Sequence, residues 1–233
     1  MLIAPVAVGA QSAAPDHAPA ASAPTASAPA PAVPGPGGAT PAEPAPAAQP
    51  VSIDGFRSAH FGMTEAETRK AIEADFKLSG SALRASDNSV ERTRVLSITV
   101  PDLVPDSGKA VVDYVFGFKG HSLIEVNVIW SAAGDPANKP ATLVHTGATL
   151  QGYFQGETFP AGQAVANGVL ANGSLLLIRG IDPAGHTVVL MLSGPLQQDT
   201  KEHKAQMTPT VLSLVYAVDP AHPDVFRLQK GAF

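Results

Sequence analysis

Proline is concentrated at one end of the chain, and this limits where a folded core can form. Residues 1–50 hold 12 of the 22 prolines, carry only two charged residues, Asp16 and Glu43, and contain no aromatic ring. Such a composition buries too little apolar surface to offset the entropy of ordering the backbone. The sequence therefore predicts a disordered Ala/Pro-rich N-terminal segment and leaves residues 51–233 to fold.

The first ten residues resemble the end of an export signal. Residues 2–10 are apolar and end in Val8-Gly9-Ala10, a small-x-small pattern typical of signal-peptidase cleavage, but no Lys or Arg precedes them. Either the true start lies upstream of Met1, or the segment is an Ala-rich leader. We adopt the first interpretation, which makes residues 1–10 a truncated signal and the protein periplasmic or secreted. Residues 11–50 are then an extended tether, because proline favours polyproline II geometry.

Charge and cysteine content exclude several classes of protein. The chain has 15 Lys and Arg against 20 Asp and Glu, a net charge of −5, and no basic run, which disfavours nucleic-acid binding. The absence of cysteine excludes disulfides, thiolate metal sites and cysteine nucleophiles. No apolar run reaches the roughly 18 residues that a transmembrane helix needs, so none is predicted.

Helix and strand patterns alternate through the rest of the chain. Thr64 and Glu67 have the spacing of a capping box, which predicts a helix running to about Phe76. A second helix is predicted from about Pro140 to Phe154. Alternating or continuous apolar runs predict seven strands, at Arg92–Val100, Val111–Phe118, Leu123–Trp130, Ala164–Leu170, Ser174–Ile181, Thr187–Ser193 and Pro209–Val218. The prediction is one α+β domain of two helix-plus-antiparallel-sheet units, α-β-β-β-α-β-β-β-β, divided at about residues 51–134 and 135–233.

The second unit is poor in charge. Residues 140–200 carry four charged side chains, and the strands near Leu176 and Leu190 are apolar on both faces. A strand covered on both sides has this pattern, so we expect a cover over the outer face of the second sheet. Three covers stay open: the first sheet, an apolar ligand cavity, or an oligomer interface. The side chains that would test this are Leu176, Ile178, Val189 and Met191.

The sequence assigns no catalytic, cofactor-binding or metal-ligating residue. It has no nucleophile elbow, P-loop or dinucleotide fingerprint, and no histidine pair at metal-binding spacing. Arg57 and His60 are candidates for binding a small acidic group, although both also suit a solvated loop. Asp113, Glu125 and Asn127 share a polar strand face. Paired carboxylates catalyse proton transfer only in a cleft, and on an open face they are solvated charges.

Two short motifs resemble a known group of modules. Phe61-Gly62-Met63-Thr64 before a helix, with Val115-Phe116-Gly117-Phe118 on a hairpin strand, is similar to small secreted modules related to β-lactamase inhibitory protein and to outer-membrane assembly lipoproteins of the SmpA/OmlA type. The resemblance covers residues 56–130. It implies a helix paired with a small antiparallel sheet that binds proteins without catalysis. The acylated cysteine of the lipoproteins and the disulfides of the inhibitor are absent.

The sequence thus predicts a non-catalytic binding or scaffold module of the cell envelope that requires no cofactor. Its partner is expected to be a protein or a second copy of the chain. A carrier of a small apolar ligand in the second unit is the alternative, and a hydrolase without a recognisable motif is the third hypothesis.

Overall fold

The structure is a computed structural model that describes residues 49–199, 204–228 and 231. The predicted signal and all but the last two residues of the predicted tether lie outside the described residues. Within them the elements are, in chain order, β1 Gly55–Phe56, β2 Ala59–His60, α1 Glu65–Phe76, β3 Arg84–Asp87, β4 Arg94–Val100, β5 Ala110–Phe116, β6 Leu123–Ser131, α2 Pro140–Gln155, β7 Ala164–Val169, β8 Leu175–Ile181, β9 Thr187–Ser193, β10 Leu196–Asp199, β11 Lys204–Met207 and β12 Val211–Ala217, with one short 3₁₀ turn at Gly80–Ala82.

Eight of these strands form a single antiparallel sheet in the order β3-β4-β5-β6-β12-β9-β8-β7. The first half of the chain supplies β3 to β6, the second half supplies the other four, and the halves meet where β6 pairs with β12. The predicted α+β class is confirmed. The explanation in which the first sheet covers the second is wrong, because the two sets of strands join edge to edge. Strand β3 and the hairpins β1–β2 and β10–β11 were not predicted.

Local sequence signals set the two helices. Thr64 Oγ1 accepts from the Glu67 amide at 3.3 Å, and Glu67 Oε2 accepts from the Thr64 amide at 2.9 Å, so the predicted capping box is confirmed. Helix α2 begins with Pro140 at its first position, where the missing N–H costs no intrahelical hydrogen bond. Both helices begin and end within a residue or so of their predicted bounds.

Both helices lie on the same face of the sheet. Glu65 of α1 forms an ion pair with Arg94, which is paired with the buried Phe116, and Gly147 of α2 lies against Leu212 and Leu192. Cross-strand register places these sheet residues on one face. The core lies between this face and the helices. It includes Trp130, which is fully buried and donates from Nε1 to Ser107 Oγ at 3.1 Å.

Each end of the folded region crosses to the opposite half. The Val51 amide donates to the Thr158 carbonyl at 2.8 Å, beside the second half, and the Phe226 amide donates to Glu91 at 2.8 Å, beside the first. Tyr216 on β12 lies between the rings of Phe56 and Phe154, with centroid distances of 5.7 and 6.3 Å. The two halves therefore share one packed layer around the β6–β12 junction.

Candidate functional site: the open face of the sheet

No helix covers the second face of the eight-stranded sheet in the part of the chain that the structure describes. We call this surface the open face, and register arranges its side chains in three main rows that run across the strands, with a shorter row of Ser131, Val211 and Ser193 at one end. In strand order, the middle row is Arg84, Ser97, Asp113, Asn127, Val215, Val189, Arg179 and Val165; the row on one side is Thr99, Val111, Ile129, Ser213, Met191 and Leu176; the row on the other is Ser86, Val95, Val115, Glu125, Ala217, Thr187 and Ile181.

The first half of the open face contains a linked polar group. Asp113 and Asn127, which were predicted to share a polar face, are direct cross-strand partners. The Ser97 hydroxyl donates to Asp113 Oδ1, and Asn127 Nδ2 donates to Glu125 Oε1 at 2.7 Å. Each carboxylate therefore accepts a hydrogen bond from one neutral side chain. For Asp113 the donor lies on the neighbouring strand, and for Glu125 it lies two positions along the same strand. No described cationic side chain forms an ion pair with either acid.

The two carboxyl groups are less solvated than the sequence suggested. Burial raises the pKa of Asp113, and the hydrogen bond from Ser97 opposes this rise. Burial also raises the pKa of Glu125, against the hydrogen bond from Asn127. Both side chains are half-buried in the sheet surface. A cationic group placed above them would stabilise their charged forms.

The second half of the open face is mainly apolar. Val215, Val189, Met191 and Leu176 occupy neighbouring positions on β12, β9 and β8, and each is only half-buried. Val165 on the edge strand β7 is 52% exposed. Uncovered apolar side chains forgo burial free energy, about 25 cal/mol per Å² of apolar surface. A contiguous group of them is typical of an interaction surface.

Ile178 does not belong to this surface. It is 3% exposed and points to the helix side, whereas the period of two predicted that it shares a face with Leu176. The pairing of β8 with β9 shifts between Leu176 and Ile178, so Leu177 is an extra residue in the ladder. This bulge turns both Leu177 and Ile178 toward α2. The three other candidates of the second unit, Leu176, Val189 and Met191, lie together on the open face.

Arg57 and His60 lie elsewhere, on the β1–β2 hairpin beside α1. The Arg57 guanidinium lies 4.6 Å from the ring centre of Phe76, and Arg57 lines an open groove of about 410 Å³ together with Asp75. His60 Nδ1 is 3.4 Å from Asp54 Oδ2, and both side chains are largely exposed. Arg57 and His60 are neighbours, as the sequence order requires. The acidic groups nearest to them, Asp75 and Asp54, belong to this chain and not to a separate ligand.

A buried carboxylate that the sequence analysis missed fixes the start of the folded region. Asp182 is 4% exposed and accepts from the amides of Ile53, Ala184 and His186, each at 2.9 Å. His186 Nδ1 lies 3.3 Å from Asp182 Oδ2, and its ring packs on Phe61 at 5.3 Å. The local bonds follow from the turn at Asp182-Pro183, whereas the bond to Ile53 spans 129 positions and has no local sequence signal. Asp182 therefore stabilises structure and also borders a second open groove of about 670 Å³ beside Pro50 and Phe159.

Among the described residues, no three His, Asp or Glu side chains converge as a metal site. In the same ranges, no helix combines the length and apolarity needed to cross a membrane. The row arrangement of the open face was beyond sequence analysis, because it depends on which strand of one half pairs with which strand of the other.

Comparison with known proteins identifies no relative. No family model, no curated protein and no solved structure matches the chain. The resemblance of residues 56–130 to envelope modules stays a prediction.

Proposed function

We propose that this protein is a non-catalytic binding or scaffold module of the cell envelope, and that it binds a protein partner through the open face. The observation that carries the proposal is the apolar half of that face, where Leu176, Val189 and Met191 lie side by side and no other described element covers them. The motif Phe61-Gly62-Met63-Thr64 supports the same class of protein, because it resembles modules that bind other proteins.

The mixture of side chains on the open face suits protein recognition. Interface cores are apolar, whereas specificity comes from a few charged and hydrogen-bonding groups. Here Asp113 and Glu125 lie on one side of the apolar residues, in neighbouring rows, and Arg179 lies on the other side in the row of Asp113. A partner that covers the three rows would bury the apolar group and place its own charges against these three side chains.

Site-specific photocrosslinking tests this surface. A photoreactive phenylalanine analogue replaces Val189 or Met191 in the full chain, expressed in its native cells, and replaces the exposed Ala148 of α2 as the matched control. We expect a discrete adduct from the two open-face positions and none from position 148. The mass of the adduct tells a second copy of the chain from a different protein. If neither open-face position gives an adduct, the proposal fails.

Export is part of the same proposal and has its own test. Intact-mass measurement of the protein isolated from the cell envelope or medium should give a chain that begins at Gln11, after the small-x-small pattern. A chain that keeps residues 1–10 and stays inside the cytoplasm would contradict export, while leaving the binding surface to be judged by crosslinking.

The alternative prediction, a carrier of a small apolar ligand, would use the groove beside Pro50, Phe159 and Ile181. That groove is open and has the carboxylate Asp182 in its wall, so the apolar open face supports protein binding better than ligand transport.

A further inference from the structure

We propose that the partner on the open face is a second copy of this chain, packed about a two-fold axis that runs along β12, so that Asp113 of each copy faces Arg179 of the other. This inference rests on the proposed function, because it takes the open face as the interaction surface and names its occupant. The symmetry of the three rows leads to it.

Asp113 and Arg179 lie at equal distances on either side of β12. Asp113 is on β5, two strands away through β6, and Arg179 is on β8, two strands away through β9. Both belong to the middle row, which continues through Val215 on β12 itself. A two-fold axis parallel to β12 places each row of one copy over the same row of the other. Across the strands, it places two strands that are equally far from β12 on opposite sides over each other. It therefore brings the acid of one copy over the arginine of the other, twice in each dimer.

The same axis matches the apolar side chains. In the row that contains Ser213, Ile129 falls opposite Met191 and Val111 falls opposite Leu176. In the row that contains Ala217, Val115 falls opposite Ile181. On the axis, Ser213 and Val215 each meet their own copy, whereas Ala217 is already buried within one chain. Three apolar pairs and one opposite-charge pair on each side match across the axis, as a two-fold interface requires, while Asn127 falls opposite Val189 and Glu125 falls opposite Thr187.

Other axes parallel to the strands lose this match. An axis between β6 and β12 places Asp113 opposite Val189 and Arg179 opposite Ser97, so neither of these two charges meets an opposite charge. An axis along β6 places Arg84 opposite Arg179, two like charges. Charge complementarity therefore selects β12 among these positions.

The available area is close to that of a stable dimer. Strands lie about 4.8 Å apart and a seven-residue strand is about 23 Å long, so the seven strands that overlap span roughly 700 Å² in each copy. A standard interface buries about 800 Å² per partner. Two sheets packed face to face are also a common arrangement, with strand directions that differ by no more than about 30°.

Charge reversal with rescue tests the pairing in the full chain. Sedimentation velocity over a range of concentrations should show the wild type as a dimer of two 23.8 kDa chains. Asp113→Arg and Arg179→Asp should each weaken dimerisation at least tenfold, and the double variant should recover most of that loss, because the charges are exchanged and not removed. Arg84→Asp is the matched control: it lies in the same row but outside the overlap, so its dissociation constant should stay within about twofold of wild type.

A crosslinking variant makes the test independent of any single charge. The chain has no cysteine, so Ser213→Cys introduces one thiol, which the proposed axis places opposite its own copy. A bifunctional maleimide with a spacer of about 8 Å should then link two chains, since packed sheets lie about 10 Å apart. Ser97→Cys, on the same face but off the axis, should give little linked dimer.

Specific results would overturn the proposal. A wild type that stays monomeric at all concentrations refutes it, as does a double variant that remains as weak as the single ones, or equal crosslinking from positions 97 and 213. If the chain is monomeric while Val189 and Met191 crosslink to a different protein, the second-copy inference fails and the proposed binding function stands. If these positions crosslink to nothing, both fail.

Discussion

Gln151 of α2 donates from Nε2 to the carbonyl oxygen of Leu177 at 2.7 Å and to Asn167 Oδ1 at 2.9 Å. Leu177 is the extra residue of the bulge in β8, so its carbonyl lies outside the regular ladder. A buried carbonyl without a partner costs free energy, and the glutamine supplies the missing donor. The bulge is thus held by the helix above it, and it decides which residues of β8 reach the open face.

The bulge predicts opposite outcomes for neighbouring substitutions on β8. Leu176→Asp places a charge on the half-exposed open face and should cost less than about 1 kcal/mol of folding free energy. Ile178→Asp buries an unpaired carboxylate against α2 and should cost more than about 3 kcal/mol. Denaturant titration of both variants, in a protein kept monomeric by Arg179→Asp, measures the difference. Equal costs would contradict the assigned faces.

Gly147 should resist substitution because α2 passes close to β8. A Cβ at this position would lie 2.8 Å from Leu177 Cδ1 and 3.3 Å from Leu212 Cδ1. Gly147→Leu should therefore destabilise the fold by about 1–3 kcal/mol through overpacking. Gly152→Leu is the control on the same helix, since a Cβ there meets nothing within 4 Å, and it should be neutral or stabilising by up to about 1 kcal/mol. Thermal unfolding distinguishes the two, and a neutral Gly147→Leu would be contrary evidence.

Asp182 should be the most sensitive carboxylate of the described fold. Asp182→Ala leaves the amides of Ile53, Ala184 and His186 without an acceptor, and bonds to charged groups are worth about 1.5–3 kcal/mol each, so we expect a loss of at least about 3 kcal/mol. Hydrogen exchange at the Ile53 amide should also become faster. Asp219→Ala is the control, because Asp219 accepts two amides in an exposed turn and should cost under about 1 kcal/mol. Comparable losses in the two variants would argue against a special role.

The capping box of α1 makes a smaller, local contribution. Thr64→Ala removes the acceptor for the Glu67 amide and should cost about 1 kcal/mol of unfolding free energy, whereas Thr64→Ser keeps the hydroxyl and should cost little. Urea titration of the two variants gives the comparison. A neutral Thr64→Ala would mean that the cap does not stabilise the helix start.

Asp113 and Glu125 should make the monomer less stable as the pH rises. Burial raises their pKa values in the folded state, so the unfolded chain releases these protons at lower pH. The folded state therefore loses stability from the ordinary carboxyl range up through the raised values, and the loss is complete above them. Asp113→Asn with Glu125→Gln should remove this pH dependence.

The comparison is made by denaturant titration between about pH 4 and 8 in the Arg179→Asp background, which prevents the proposed ion pair. Near pH 8 the variant with Asp113→Asn and Glu125→Gln should have a higher free energy of unfolding than the Arg179→Asp parent. Near pH 4 the difference between the two proteins should be smaller. A stability gap that narrows as the pH rises would contradict the assigned shifts.

Local sequence signals determined most elements of the fold. Thr64 and Glu67 identify the start of α1, Pro140 identifies the start of α2, and alternation locates β4, β5 and β6 within about two residues. These signals are reliable because capping, proline geometry and side-chain alternation act within a few neighbouring residues. The short strands β1 to β3 lack such a pattern, and they pair only because longer elements position them.

Tertiary structure alone decided the candidate site. The apolar runs of β8 and β9 showed that the second half is poor in charge, but they could not show that β12 would pair with β6 and join two sheets into one. Nor could they show the bulge at Leu177, which removes Ile178 from the open face, because it depends on Gln151 of α2 and on the space beside Gly147. Asp113 and Arg179 share a row only through four strand pairings across the sheet. Such long-range register is set by packing and hydrogen bonding between distant segments, which no local pattern encodes.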